Sequence, residues 1–88
     1  MDNTLTKENV GKYDKKQRMK KIGRFCKKYR EDYLRLSLTD FGELTDLNIK
    51  SVSAFEHGNA NSIDYLYHYY NLSKGLNKKV FISNVFEI

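Results

Sequence analysis

The stretch SLTDFGELTDLNIKSVSAFEHG, residues 37–58, decides the fold. It reads as two short helices joined by a tight turn. Ser37 with Asp40 three residues on resembles a capping box, with Asp in place of the usual Glu. The first helix runs from there to about Asp46, and Leu47-Asn48 forms the turn. Asn48 is a suitable N-cap for a second helix that ends near His57. Gly58 then accepts the left-handed conformation that a β-carbon resists. Two helices so joined make a helix-turn-helix, which needs particular residue types. Gly42 is the small residue where the helices cross, and Leu47 is the apolar plug of the turn. Val52 and Phe55, three residues apart, bury one face of the second helix. Ile49, Lys50, Ser53 and Ala54 stay outside. The helix N-terminus presents unpaired amides that favour anions.

Upstream, apolar residues at Met19, Ile22, Cys26, Tyr29 and Tyr33 recur at three- and four-residue steps. They predict a helix from about Asp14 to Tyr33 with one apolar stripe. Lys16, Lys20, Arg24, Lys27 and Lys28 fall off that stripe. Residues 1–12 are polar and aperiodic and read as a flexible arm. Downstream, residues 59–62 form a loop that offers another N-cap. A fourth helix follows from Ile63 to about Lys74, stopped by Gly75. The tail is β-branched and aromatic from Val80 to Ile88 and reads as extended. The expected organisation is an arm over 1–12, an all-α domain of four to five helices over 13–76, and a tail over 77–88.

Charge is divided along the chain. Lys12 to Arg30 contains ten basic residues opposed only by Asp14. From Leu38 to Ser73 the balance reverses, with Lys50 alone against Asp40, Glu43, Asp46, Glu56 and Asp64. The basic half points to a polyanion or an acidic partner; a solvated helix face is the plainer alternative.

Residues 41–58, Phe-Gly-Glu-Leu-Thr-Asp-Leu-Asn-Ile-Lys-Ser-Val-Ser-Ala-Phe-Glu-His-Gly, resemble the helix-turn-helix of phage repressors, Cro proteins and related XRE-type regulators. Upstream, Ile22-Gly23 with Cys26, Tyr29 and Arg30 is similar to that family's first helix. The likeness covers about residues 20–72. It implies a lambda-repressor-like domain whose recognition helix, about 48–57, enters the major groove of double-stranded DNA. It also implies an ion pair between Arg30 and Glu56. There are departures. The turn between Arg30 and Ser37 is one residue longer than usual and lacks its glycine. Leu38 stands where the family often has a glutamine on the DNA backbone, Ala54 replaces a polar base reader, and Asp46 replaces the turn glycine.

The resulting DNA-contact set is Ser37, Thr39, Asn48, Ile49, Lys50, Ser51, Ser53, Ala54 and Asn61, supported by Lys16, Lys20 and Arg24 from the basic segment. Lys50 can reach guanine acceptors or a phosphate, and Ile49 can pack on a thymine methyl. Asn48, Ser51 and Ser53 can donate to phosphates. The alternative is an ordinary exposed polar helix. Tyr65, Tyr67, Tyr69 and Tyr70 crowd the fourth helix. Either some are core and the rest plain surface, or they anchor a homodimer or another protein. Phe81 and Phe86 of the tail are further candidates for that contact.

Other classes have little support. No metal site is expected, since His57, His68 and Cys26 lack clustered ligands. No cofactor loop, nucleophile elbow or paired carboxylates occur, so no enzyme is expected. No apolar run approaches the ~18 residues that span a bilayer. One cysteine and no signal-peptide core point to the cytoplasm. The expected function is transcriptional regulation, as a repressor from a phage or mobile element. The rival is a small scaffold that inhibits or recruits another protein, such as a nucleic-acid enzyme.

Overall fold

The computed structural model describes residues 14–60 and 63–88, and these are all-helical. Helix α1 spans Lys15–Asp32, α2 Leu38–Thr45, α3 Ile49–Glu56, α4 Ile63–Leu72 and α5 Asn77–Phe86. The arm over 1–12 lies outside the described residues.

Each early helix starts on a side-chain cap. Asp14 accepts from the Gln17 amide at 3.1 Å, and Ser37 accepts from the Asp40 amide at 3.0 Å. Asn48 Oδ1 accepts from both Lys50 N–H (2.8 Å) and Ser51 N–H (3.3 Å). Such caps satisfy donors that the helix cannot, each worth about 1 kcal/mol. Two non-glycine residues carry positive φ, Arg35 at 57° and Asp46 at 60°. Arg35 sits in the lengthened turn after α1, and Asp46 is the C-cap of α2. Asp tolerates this conformation better than most side chains. Gly58, at φ 81°, closes α3, and the Asn59 amide reaches back to the Ala54 carbonyl at 2.8 Å.

The core gathers Cys26 and Tyr29 from α1, Phe41 from α2, Val52 and Phe55 from α3, Tyr69 from α4, and Phe81 and Val85 from α5. Phe25, Ile22, Leu47 and Tyr65 pack around it, half-buried. Aromatic rings do much of the filling. Tyr69 lies 4.5 Å from Phe41 and 6.0 Å from Phe81, centroid to centroid. Glycine sets the closest approach. A β-carbon on Gly23 would come within 2.5 Å of the Phe55 carbonyl oxygen, so α1 crosses the end of α3 backbone to backbone. Gly42 of α2 makes room instead for a side chain, since a β-carbon there would meet Ile49 Cγ2 at 2.6 Å.

Three expectations are corrected. The tail is not extended: residues 77–86 form α5, because Phe81 and Val85 stand four apart and enter the core together. Burial on a helical period here outweighs the strand preference of β-branched and aromatic residues. Tyr69 and Phe81 are not partner contacts, since both are fully buried. Tyr33 does not continue the inward stripe. It lies just past the end of α1, is 60% exposed, and stacks on Tyr29 at 5.1 Å.

Candidate nucleic-acid interface

A buried polar knot fixes the position of α3. The Arg30 guanidinium grips the Glu56 carboxylate with both forks, Nε to Oε2 and Nη2 to Oε1, each 2.9 Å. Its third arm donates to the Leu36 carbonyl at 2.9 Å, which ties down the turn that leads into α2. Tyr69 from α4 donates to Glu56 Oε2 at 2.6 Å. Arg30 and Glu56 are almost completely buried, 3% and 5% exposed, and every buried side-chain polar atom among the described residues has a partner. The bond to Glu56 holds the Arg30 pKa above its ordinary value, against the opposing effect of burial. α1, the 33–36 turn, α3 and α4 therefore meet at one charge pair. A second buried bond, 2.5 Å between the Tyr29 and Ser73 hydroxyls, ties α1 to the end of α4.

The same interior makes the fold sensitive to alkali. Burial pushes the Tyr69 phenol well up, and its bond to Glu56 adds to this. Burial likewise pushes the Cys26 thiol up, with the Glu56 charge as a smaller cause. Both groups hold their protons more tightly folded than unfolded. Their contribution is complete below the ordinary values of 9.0 and 10.0 and is lost as pH rises above them. Unfolding free energy should fall as pH rises above about 9, first through Cys26 and then through Tyr69. Urea unfolding of the Tyr69→Phe variant should show a shallower fall than the wild type; an equal slope refutes the assignment.

Above the knot, the first turn of α3 is open. Lys50 and Ser51 are exposed, and Ile49 is 42% exposed while its Cγ2 rests over Gly42. Asn48 spends its amide oxygen on the cap, which leaves its NH2 group as a donor. Ser37 likewise accepts in its cap and keeps its hydroxyl hydrogen, and Thr39 beside it is exposed. Ser53 and Ala54 are half-buried, so they contribute less to this surface than expected. Asn61 lies outside the described residues.

The basic residues of α1 are placed elsewhere. Lys16, Lys20 and Arg24 are exposed and follow one another at four-residue steps. Lys20 rests against Gly58, beyond the C-terminal end of α3. Six helical steps, about 9 Å, separate that end from Lys50. Lys21, Arg24 and Lys28 line an open hollow with Phe25, Glu87 and Ile88. The lysine row and the first turn of α3 are thus distinct surfaces.

Arg35 was not among the expected contacts. It lines an open hollow with Arg30, Glu31, Leu36, Ser37 and Leu38 at the start of α2. Its signal in the sequence is its place in a lengthened, glycine-free turn directly before a helix cap. Among the described residues, no group of three or more His, Cys, Asp or Glu is placed to hold a metal ion, and no helix is long and apolar enough to cross a membrane. Comparison with family models, curated proteins and solved structures returned no match.

Proposed function

We propose that this chain is a sequence-specific DNA-binding regulator with a lambda-repressor-like helix-turn-helix formed by α2 and α3. The observation that carries the reading is the open first turn of α3. Ile49, Lys50 and Ser51 stand exposed on a helix whose other end is clamped by Arg30 and Glu56. A helix fixed at one end and exposed at the other suits insertion into the major groove. Lys50 reads a base edge or holds a phosphate, and Ile49 packs on a thymine methyl. Asn48, Ser51, Ser37 and Thr39 hold the flanking phosphates. Arg35, in one hollow with Ser37 and Leu38, supplies charge near Leu38, which stands where the family this chain resembles often has a glutamine. Lys16, Lys20 and Arg24 add longer-range attraction to the polyanion. One such unit reads a short half-site, so two copies bind a partly palindromic operator and repress transcription. Origin in a phage or mobile element follows from the same family likeness.

Lys50→Ala should weaken binding to the preferred duplex by about 1–3 kcal/mol if Lys50 contacts a base, with little change on unrelated DNA. Titration of both duplexes at one salt concentration separates these. Full affinity for the preferred site removes the base-contact role.

One observation favours a second reading. The outer side of α2 and its turn carries Asp40, Glu43 and Asp46, with Leu44 61% exposed between them. An acidic surface with an apolar centre suits binding to another protein, such as a nucleic-acid enzyme whose channel accepts acidic groups.

A further inference from the structure

Helix α5 crosses α1 through Phe81, whose ring centroid lies 5.7 Å from Phe25 and 4.8 Å from Tyr29. Two hollows open along the seam between these helices, and both are bordered by Phe25 and Lys28. The first is a slot of about 250 Å³. Phe25, Tyr29 and Tyr33, at four-residue steps, form its aromatic wall, and Val80 borders it from α5. Tyr33 stacks on Tyr29 with planes 11° apart yet is 60% exposed, so much of its ring is open to a ligand. Asp32 and Asn84 line the same slot. Asn84 Nδ2 donates to the Val80 carbonyl at 2.8 Å, which leaves Oδ1 as an acceptor. The second hollow, about 430 Å³, gathers Lys21, Arg24 and Lys28 against one acid, Glu87. These cations are exposed and, among the described residues, none is held in an ion pair.

We infer that this seam binds a free guanine nucleotide with two or three phosphates, its base in the slot and its phosphates in the cationic hollow. The juxtaposition is the first argument. An aromatic wall stacks any base, because every base has a π-face, and the adjoining cations take the charge. Lys28, shared by both hollows, stands where base and phosphates join. Hydrogen bonding is the second argument and selects the base. The Asp32 carboxylate accepts two parallel donors, and Asn84 Oδ1 accepts another. Guanine presents two adjacent donors on one edge, N1–H and its 2-amino group. Adenine and cytosine present one amino donor flanked by an acceptor. Charge distribution is the third. A single strand carries one phosphate per nucleotide, spread along its length. Here three cations converge on one hollow beside room for one base, which suits several phosphates on one nucleoside. The site lies on α1 and α5 and does not rest on α3 reading DNA.

Isothermal titration calorimetry of the full chain with guanosine triphosphate tests it, at ligand concentrations up to roughly 1 mM. Saturable binding is expected, weakening as salt rises. Adenosine triphosphate, and guanosine without phosphates, should each bind about tenfold or more weakly. Tyr33→Ala should weaken guanosine triphosphate about tenfold through lost stacking, and Lys28→Glu by a similar factor through lost charge. Asp32→Asn should erase most of the preference for guanine over adenine. These three side chains are exposed, so far-UV circular dichroism should be unchanged. Lys50→Ala should leave nucleotide binding as it is, which separates this site from the α3 surface. No binding of guanosine triphosphate over that range overturns the inference. So does binding that survives both Tyr33→Ala and Lys28→Glu. Equal affinity for the two triphosphates overturns the assignment of guanine. A single-stranded oligonucleotide that binds more tightly than guanosine triphosphate overturns the assignment of a free nucleotide.

Discussion

Arg30→Ala should destabilise the domain by about 3–5 kcal/mol, the cost of stranding one member of a buried ion pair. The loss is larger than that of an ordinary contact for a specific reason. Glu56 would stay buried with the Tyr69 hydroxyl as its remaining partner, and the Leu36 carbonyl would lose its donor. Domains of this kind have roughly 5–15 kcal/mol in total, so the variant should be partly unfolded near body temperature. Arg30→Lys should recover little, because an ammonium cannot reproduce the two-pronged grip. The triple change Arg30→Met, Glu56→Leu, Tyr69→Phe should recover much of the loss, since apolar replacement of a whole buried pair is often neutral. Urea unfolding followed by circular dichroism measures all three. An Arg30→Ala domain within about 1 kcal/mol of the wild type contradicts the role given to the pair.

Gly23→Ala is the second large effect, about 3 kcal/mol destabilising, at the upper end for overpacking. Its sign is the informative part. In the middle of a solvated helix, Ala is better than Gly by about 0.8–1.0 kcal/mol. Here the new β-carbon would lie 2.5 and 2.6 Å from the Phe55 and Glu56 carbonyl oxygens. Backbone atoms cannot swing aside as a side chain can. α1 would have to move off α3, stretching the Arg30–Glu56 bonds that sit seven residues further along α1. The same unfolding experiment checks it. A stabilised variant indicates that α1 and α3 do not approach so closely.

The sequence carried some of this plainly. The apolar stripe of α1, the caps at Ser37 and Asn48 and the glycine stop at Gly58 are local signals, and they mark the first three helices. Arg30 and Glu56 are 26 residues apart, and their pairing came from a family likeness; the geometry now gives it distances. Tyr69, the third member of the knot, has no local spacing to announce it. Four tyrosines within six positions blur the helical period, so nothing in the order of residues separates buried Tyr69 from exposed Tyr67. The α5 segment failed for a related reason. Val80, Phe81 and Ile82 in a row mask the four-residue step from Phe81 to Val85, and strand preference then dominates the reading. The site divides similarly. The exposure of Lys50 and Ser51 follows from the burial of Val52 and Phe55 on the same short helix. The distance between the α1 lysine row and that turn depends on how α1 crosses α3, which only the folded chain defines.

The central claim is that the first turn of α3 reads DNA. The most direct measurement is a gel shift of the full chain on the DNA upstream of its own gene, with competitor DNA, at several salt concentrations. The account predicts a discrete complex that survives excess unrelated DNA and weakens steadily as salt rises. Weak, sequence-blind binding, together with a stable protein partner in a pull-down, would contradict it.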